Sequence, residues 1–429
     1  MREHEKIPYD SLAFQEYWGE GMRLPSQSKG LDRWFFQWQW RNSPRANDDD
    51  AEFDQPFVTE SGYYASYVIG AQWFDKDKTM PLVVTTKYGC DRIDFLKMFS
   101  ICFNSGIETK AFSKIYGVDM EQPRIKAPEL KSVLSPLIVA HFLSVVREIV
   151  KRGLKKDYVQ REENLKKVKG RIAILRNERM NVLKKRYNKV FCRYQEYSED
   201  TVENRLIKKA LKFSWQILQL NGISESMLPL QHTVQACLSA FANVGDEIEV
   251  WEVKAIKHHK IFKEYDDAIK LAQMILHRYD YSITNITTAE EEYCPVFWID
   301  MAMLYEHYVL GLLREAYGSK IHYQVHGHTG YPDFICYSPQ VVMDTKYIPR
   351  FEYDNLDTYI VRQLSGYSRD KWVFPTKPES NIPCVVIYPV EGEEENPFRN
   401  KPLEAFLSTE DRCIWNFHRI AVPLPQIVK

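Results

Sequence analysis

The 429-residue chain has no long apolar run. The uncharged stretch from Ser132 to Val146 falls short of the roughly 20 residues that a bilayer span requires. The opening Met-Arg-Glu-His-Glu-Lys leads into no apolar segment of the kind that directs secretion. Net charge is almost absent too: 57 Lys and Arg stand against 58 Asp and Glu. No global field draws the protein to a polyanion, so any nucleic-acid affinity must come from local clustering. The eight Cys are scattered, with no CxxC pair and no Cys/His grouping at zinc-ligand spacing. They read as buried thiols of a reducing compartment. There is no GxxxxGK(S/T) loop to cradle nucleotide phosphates. The expectation is a soluble, cytoplasmic protein with no membrane contact, no zinc module and no nucleotide hydrolysis of its own.

Hydrophobic residues make up 45% and charged residues 27%, enough for more than one buried core at this length. Residues 1–125 read as a β-rich N-terminal module. Trp34-Phe35-Phe36-Gln37-Trp38-Gln39-Trp40 and Tyr63-Tyr64-Ala65-Ser66-Tyr67-Val68-Ile69 have strand-like residue types, with Asn47-Asp48-Asp49-Asp50 as a solvated loop between them. Packed core explains these aromatics better than a base-stacking platform, because few basic residues interleave with them.

Residues 126–285 read as a mainly helical, basic region. Leu134, Leu137, Ile138, Phe142, Val145, Val146 and Ile149 recur at three- and four-residue steps, and Pro136 fits that helix only within its first turn. Ser198-Glu199-Asp200 precedes a second run through Leu206, Ala210, Phe213 and Ile217, and Tyr265 to Leu276 forms a third. Between them, Lys151 to Lys189 holds fifteen Lys or Arg against four Asp or Glu, a local charge of +11. That excess implies an acidic partner, although a solvated basic face would carry the same charge.

Residues 286–429 carry the chemistry. Ile299 to Ala316 is a helix with Met303, Leu304, Tyr308, Leu312 and Leu313 on one face, followed by a strand at Ile321 to Val325. A turn from Gly327 to Pro332 feeds a second strand, and Ser338-Pro339-Gln340 turns into a third. Asp333 starts one strand and Asp344 lies within the next. Asp344 and Lys346, two apart, share a face, where Asp333 meets them across the ladder. Two carboxylates and an ammonium suit Mg²⁺ or Mn²⁺ and phosphodiester hydrolysis, with Lys346 orienting water or stabilising charge. The spacing alone is cheap, and a surface salt bridge would explain it. Here, however, Phe334-Ile335-Cys336 and Val341-Val342-Met343 are strongly apolar, so the carboxylates interrupt buried strands. His322, His326 and His328 flank these strands and read as surface or hydrogen-bonded core residues.

Pro332-Asp333 followed by Asp344-Thr345-Lys346 resembles the PD-(D/E)XK nuclease signature, and Asp344-Thr345-Lys346-Tyr347 is similar to the version typical of the McrC family. The likeness extends through Lys151-Arg152-Gly153-Leu154, Val168-Lys169-Gly170-Arg171-Ile172, Ser198-Glu199-Asp200-Thr201, Asn204-Arg205-Leu206-Ile207-Lys208, Gln363-Leu364 with Tyr367, and Ile387-Tyr388-Pro389. It covers residues 127–429 well and the first 125 poorly.

The resemblance implies an α+β protein whose C-terminal domain is restriction-endonuclease-like. Asp333 and Asp344 would be metal ligands, Lys346 the catalytic lysine, and Glu306 and Gln363 supports for the site. A helix-surface role is the plainer reading of Glu306. The resemblance also implies a partner, a McrB-like AAA+ GTPase hexamer, and cleavage of double-stranded DNA carrying methylcytosine. Lys169, Gly170 and Arg171 would then enter the motor's pore, or contact DNA phosphates instead. A defence nuclease with an ATP-driven or sequence-specific motor, or a mainly non-catalytic adaptor, are the alternatives.

Overall fold

The computed structural model describes residues 6–8, 57–59, 62–64, 67–73, 78–79, 81–88, 92–104, 115–119, 122–220, 228–248, 263–284, 293–352, 354–376, 380–392 and 396–426. The aromatic run Trp34 to Trp40 and the Asn47 to Asp50 loop lie outside them. Helices and sheets are mixed throughout, an α+β architecture. Among the described residues, no helix is long and apolar enough to cross a membrane. Two compact units divide the chain, Met1–Ala140 with Ile286–Lys429, and His141–Asn285.

In the first unit, β1 (Lys6–Pro8), β2 (Phe57–Thr59) and β3 (Gly62–Tyr64) pair antiparallel in the order β1-β3-β2. The expected strand from Tyr63 to Ile69 is therefore divided between β3 and β4 (Val68–Trp73), which pairs with β5 (Pro81–Val84). Next come α1 (Phe95–Asn104), β6 (Tyr116–Asp119) and β7 (Ile125–Lys126). Helix α2 (Lys131–Arg152) follows a 3-10 turn at Pro128–Leu130 and runs from the first unit into the second, the division falling after Ala140. Pro136 stands beyond the first turn, so α2 forgoes the bond that residue 136 would donate to the Ser132 carbonyl.

In the second unit, the basic stretch is not helical for most of its length. It forms β8 (Asp157–Leu165), β9 (Arg171–Ile172), the single turn α3 (Ile174–Asn177) and a π-helical turn at Glu178–Val182. β10 (Val190–Ser198) lies between β8 and β9 in an antiparallel sheet. Helices α4 (Val202–Leu220), α5 (Leu228–Ala240) and α6 (Lys263–Thr284) complete the unit, with α4 against both others. Thr201 caps α4, its hydroxyl accepting from Asn204 N. Asp200 instead takes the Arg205 guanidinium on both oxygens at 2.7 Å and the Gly245 amide at 2.7 Å.

The chain returns to the first unit with β11 (Tyr293–Cys294), which pairs with β7, and β12 (Val296–Asp300), which completes a sheet in the order β5-β4-β12-β6. Helix α7 (Met301–Tyr317) is capped by the Asp300 side chain, which accepts from Met303 N, and its Gly311 lies against α1. A second sheet follows, built from β13 (Ile321–Tyr323), β14 (Phe334–Tyr337), β15 (Gln340–Thr345), β16 (Cys384–Glu391) and β17 (Phe417–Leu424) in that order. β13, β14 and β15 pair antiparallel, whereas β15, β16 and β17 run parallel. The connection from β15 to β16 passes through α8 (Thr358–Tyr367), as a parallel pair requires a crossover. Ile335, Val342, Cys384 and Val386 of the sheet share one core with Ile360, Leu364 and Tyr367 of α8. Helix α7 packs against β13 and β15.

Candidate active site

Strand alternation fixes which side chains meet. Ile335 and Val342 pair across β14 and β15 and face α8, so Asp333, Asp344 and Lys346 fall on that same face beyond them. Both carboxylates are buried, Asp333 at 9% and Asp344 at 2% exposure. Lys346 Nζ lies 2.9 Å from Asp344 Oδ2 and donates to Gln363 Oε1 at 3.1 Å. Gln363 in turn donates to the Tyr367 hydroxyl at 3.1 Å. The structure thus brings Asp333, Asp344, Lys346 and Gln363 together, Asp344 from β15, Asp333 and Lys346 from the residues next to β14 and β15, and Gln363 from α8.

Thr345, the middle residue of the Asp-x-Lys triplet, holds Asp333. Its amide and hydroxyl both donate to Asp333 Oδ2, at 2.8 and 2.6 Å. Burial alone would lower the Lys346 ammonium, but the Asp344 and Asp333 carboxylates outweigh it and raise the group above its ordinary value. The Asp344–Lys346 contact is an ion pair without hydrogen-bond alignment: no donor is aligned on the buried Asp344 Oδ2. An oxygen left so is suited to a cation. Among the described residues, however, no three His, Cys, Asp or Glu gather as a full metal cage. Two hard carboxylates suit a cation that keeps much of its water, as Mg²⁺ does, better than one held entirely by protein.

Glu306 is not a helix-surface residue. It is 1% exposed on α7, and its Oε1 accepts from the Tyr323 hydroxyl at 2.9 Å and Gln324 Nε2 at 3.0 Å. Gln324 also donates its backbone N–H to the Asp333 carbonyl at 3.0 Å, so it ties Glu306 to the strand that starts the site. Gln324 adopts φ 45°, a left-handed conformation that a side-chain-bearing residue holds only where its surroundings fix it. Sequence reasoning missed Gln324, Thr345 and Lys87. Lys87 donates to the Tyr347 carbonyl at 2.9 Å and sits 3.9 Å from the centre of the Tyr347 ring, bracing the residue after Lys346. The D-x-K triplet pointed to Thr345, but no sequence signal marked the other two.

Lys169, Gly170 and Arg171 lie in the second unit, exposed, at the turn from β8 into β9. Lys169 covers the Tyr194 ring at 3.9 Å and approaches Glu196 at 3.3 Å. Gly170 has φ +72°, and a Cβ there would come within 2.6 Å of the Arg193 carbonyl, so the turn requires glycine. The same segment exposes Val168, Ile172, Ile174, Leu175, Leu183 and Tyr187. Its charge had drawn attention in sequence; its exposed apolar residues had not.

A family model described as "McrBC 5-methylcytosine restriction system component" matches residues 95–367. No curated protein matches the chain. Among solved structures, the chain is similar to one from a tetradecameric assembly of Thermococcus gammatolerans McrB AAA+ hexamers with bound McrC. The identity is 14% over 99% of this chain and 94% of that one, with a TM-score of 0.39. It is also similar to the cryo-EM structure of the Thermococcus gammatolerans McrBC complex, at 13% identity over 73% of this chain and 86% of that one, with a TM-score of 0.30.

Proposed function

Because this chain belongs to the McrBC 5-methylcytosine restriction system family, we propose that it is the nuclease subunit of such a system, an Mg²⁺-dependent (or Mn²⁺-dependent) endonuclease of the PD-(D/E)XK type. Its substrate is double-stranded DNA carrying methylcytosine, and its partner is a McrB-type AAA+ GTPase hexamer. The observation that carries this reading is the buried cluster of Asp333, Asp344, Lys346 and Gln363 on one sheet face. A stray ion pair at that depth would cost more than it returns, whereas a reaction centre needs one.

Asp333 and Asp344 would hold the cation. A bound Mg²⁺ would polarise the scissile phosphate and lower the pKa of the attacking water. Thr345 fixes the Asp333 carboxylate, so that ligand is oriented before any cation arrives. Gln363 aims the Lys346 ammonium, which would stabilise the negative charge that grows on the phosphate during attack. Glu306, through Gln324, would hold the start of β14 in place.

The exposed turn around Lys169, Gly170 and Arg171 is the proposed motor-binding element. Ile174, Leu175 and Leu183 stand exposed beside its basic residues, which favours a protein groove over bare phosphates as the counterpart. The test is cleavage of methylated and unmethylated plasmid by this protein with its AAA+ partner, GTP and Mg²⁺, comparing wild type with Asp344→Ala. Cutting that needs GTP, methylation and Asp344 is expected. Cutting driven by ATP or indifferent to methylation would change the system, and stimulated hydrolysis without cutting would make the protein an adaptor.

A further inference from the structure

Beside the reaction centre, the first unit carries an open groove of about 790 Å³, within the ~300–1,000 Å³ range of ligand sites. One wall is α8 and the turn after it, with Arg362, Ser365, Gly366, Arg369 and Lys371; the other is formed by His328 and Thr329, with Trp372 also lining it. Arg362, Arg369 and Lys371 pair with no carboxylate among the described residues. The one acid of the groove, Asp370, is already committed. It accepts from Thr329 N and Oγ1 at 2.8 and 3.0 Å and from Trp372 N at 2.9 Å. These bonds hold the backbone of the turn that carries Trp372, whose indole remains 58% exposed although His326 stacks on it at 5.5 Å and 24°.

The groove adjoins the reaction centre through named contacts. Lys346 holds Gln363, Gln363 holds Tyr367, and Gly330 rests so close to the Tyr367 hydroxyl that a Cβ there would lie 2.9 Å from it. Thr329 and Asp333 belong to the same short loop. We propose that this groove holds a DNA strand next to the scissile bond, with phosphates on Arg362 and Arg369 and one unstacked base on Trp372. The proposal rests on the nuclease reading, since that reading supplies the duplex, of which one strand would open at the groove to free the base. An exposed indole beside cations without acidic partners is the combination that single strands require, a π-face for the base and charge for the backbone.

The test is binding of a fluorescent single-stranded oligonucleotide of about 16 nucleotides to the full chain without divalent cation, so that no cutting interferes. Trp372→Ala is expected to weaken binding about tenfold. Arg362→Ala with Arg369→Ala is expected to reduce the slope of log affinity against log salt by about 1.4, two phosphates' worth for a single strand. Trp415→Ala, at an indole that is 86% exposed and outside the groove, is expected to change neither. Wild-type affinity and slope in the groove variants would overturn the proposal, as would an equal loss in Trp415→Ala. The nuclease reading fails separately: if wild type and Asp344→Ala both leave plasmid uncut with the motor while the groove variants still lose binding, the strand site stands and the enzyme does not.

Discussion

Asp333 stands one residue before the first paired position of β14, and the register that sets Phe334 opposite Met343 brings it opposite Asp344. A spacing that any charged hairpin could produce becomes a shared site because both residues sit where apolar strands end. Thr345, between Asp344 and Lys346, then points to the other carboxylate and takes it with two donors. Thr345→Val keeps the backbone bond and removes the hydroxyl, so cleavage should fall about ten- to a hundredfold with the fold unchanged. Asp344→Ala should lower cutting by at least ~10²–10³-fold while leaving the complex with the motor assembled. Plasmid cleavage and co-elution with the partner measure both; loss of assembly in either variant would make these residues structural.

The turn at Lys169 to Arg171 separates charge from apolar contact. Lys169→Glu with Arg171→Glu should weaken stimulation of the partner's GTP hydrolysis and make what remains less dependent on salt. Ile174→Ser with Leu175→Ser should weaken it at all salt concentrations, because these residues are exposed and contribute little to the folded core. Undiminished hydrolysis in both mixed complexes would remove the motor-binding assignment.

The second sheet and its hairpin were legible in sequence because Phe334 to Cys336 and Val341 to Met343 are apolar and turn residues bound them. The sheet of the second unit was not. β8 reads Asp-Tyr-Val-Gln-Arg-Glu-Glu-Asn-Leu and buries no residue fully, so no alternation of apolar and polar positions announces it. Its strands are matched by charge instead: Arg161 pairs with Glu196 and Arg193 with Glu162, which Arg176 of α3 also reaches. Glu306 looked like a helix-surface acid because its partners, Tyr323 and Gln324, lie beyond the end of its own helix and only the fold returns them to it. The likeness to a known nuclease family pointed to Gln363, whereas Arg362 and Arg369 become one face only once α8 and the turn after it are in place.

Gly311 lies where α7 passes close to α1. A Cβ there would come within 2.6 Å of both the Ile101 carbonyl oxygen and Cγ2, and backbone cannot give way as a side-chain tip can. Gly311→Ala gains about 1 kcal/mol of helix propensity but forces the helices apart at a cost of about 1–3 kcal/mol. A net loss of stability is expected, read as a lower midpoint of thermal unfolding. A rise in that midpoint would show that the two helices can separate freely.

Asp200 makes the stability of the second unit depend on acid pH. The hydrogen-bonded Arg205 guanidinium, against the opposing effect of burial and with the Gly245 amide, holds its carboxyl down to about 2. A carboxyl lowered on folding stabilises the protein fully above its ordinary value near 4 and loses that contribution as pH falls through the folded value. Between about pH 4 and pH 2 the wild type should therefore lose about 2 kcal/mol that Asp200→Asn never had. At pH 7 the variant should be the less stable of the two, and its disadvantage should stay level down to about pH 4 and shrink from there towards pH 2. Urea unfolding of both proteins across that range, followed by far-ultraviolet circular dichroism, measures the difference. A gap that stays constant with pH would mean that Asp200 acts through shape, and that the Arg205 contact carries no charge-dependent stabilisation.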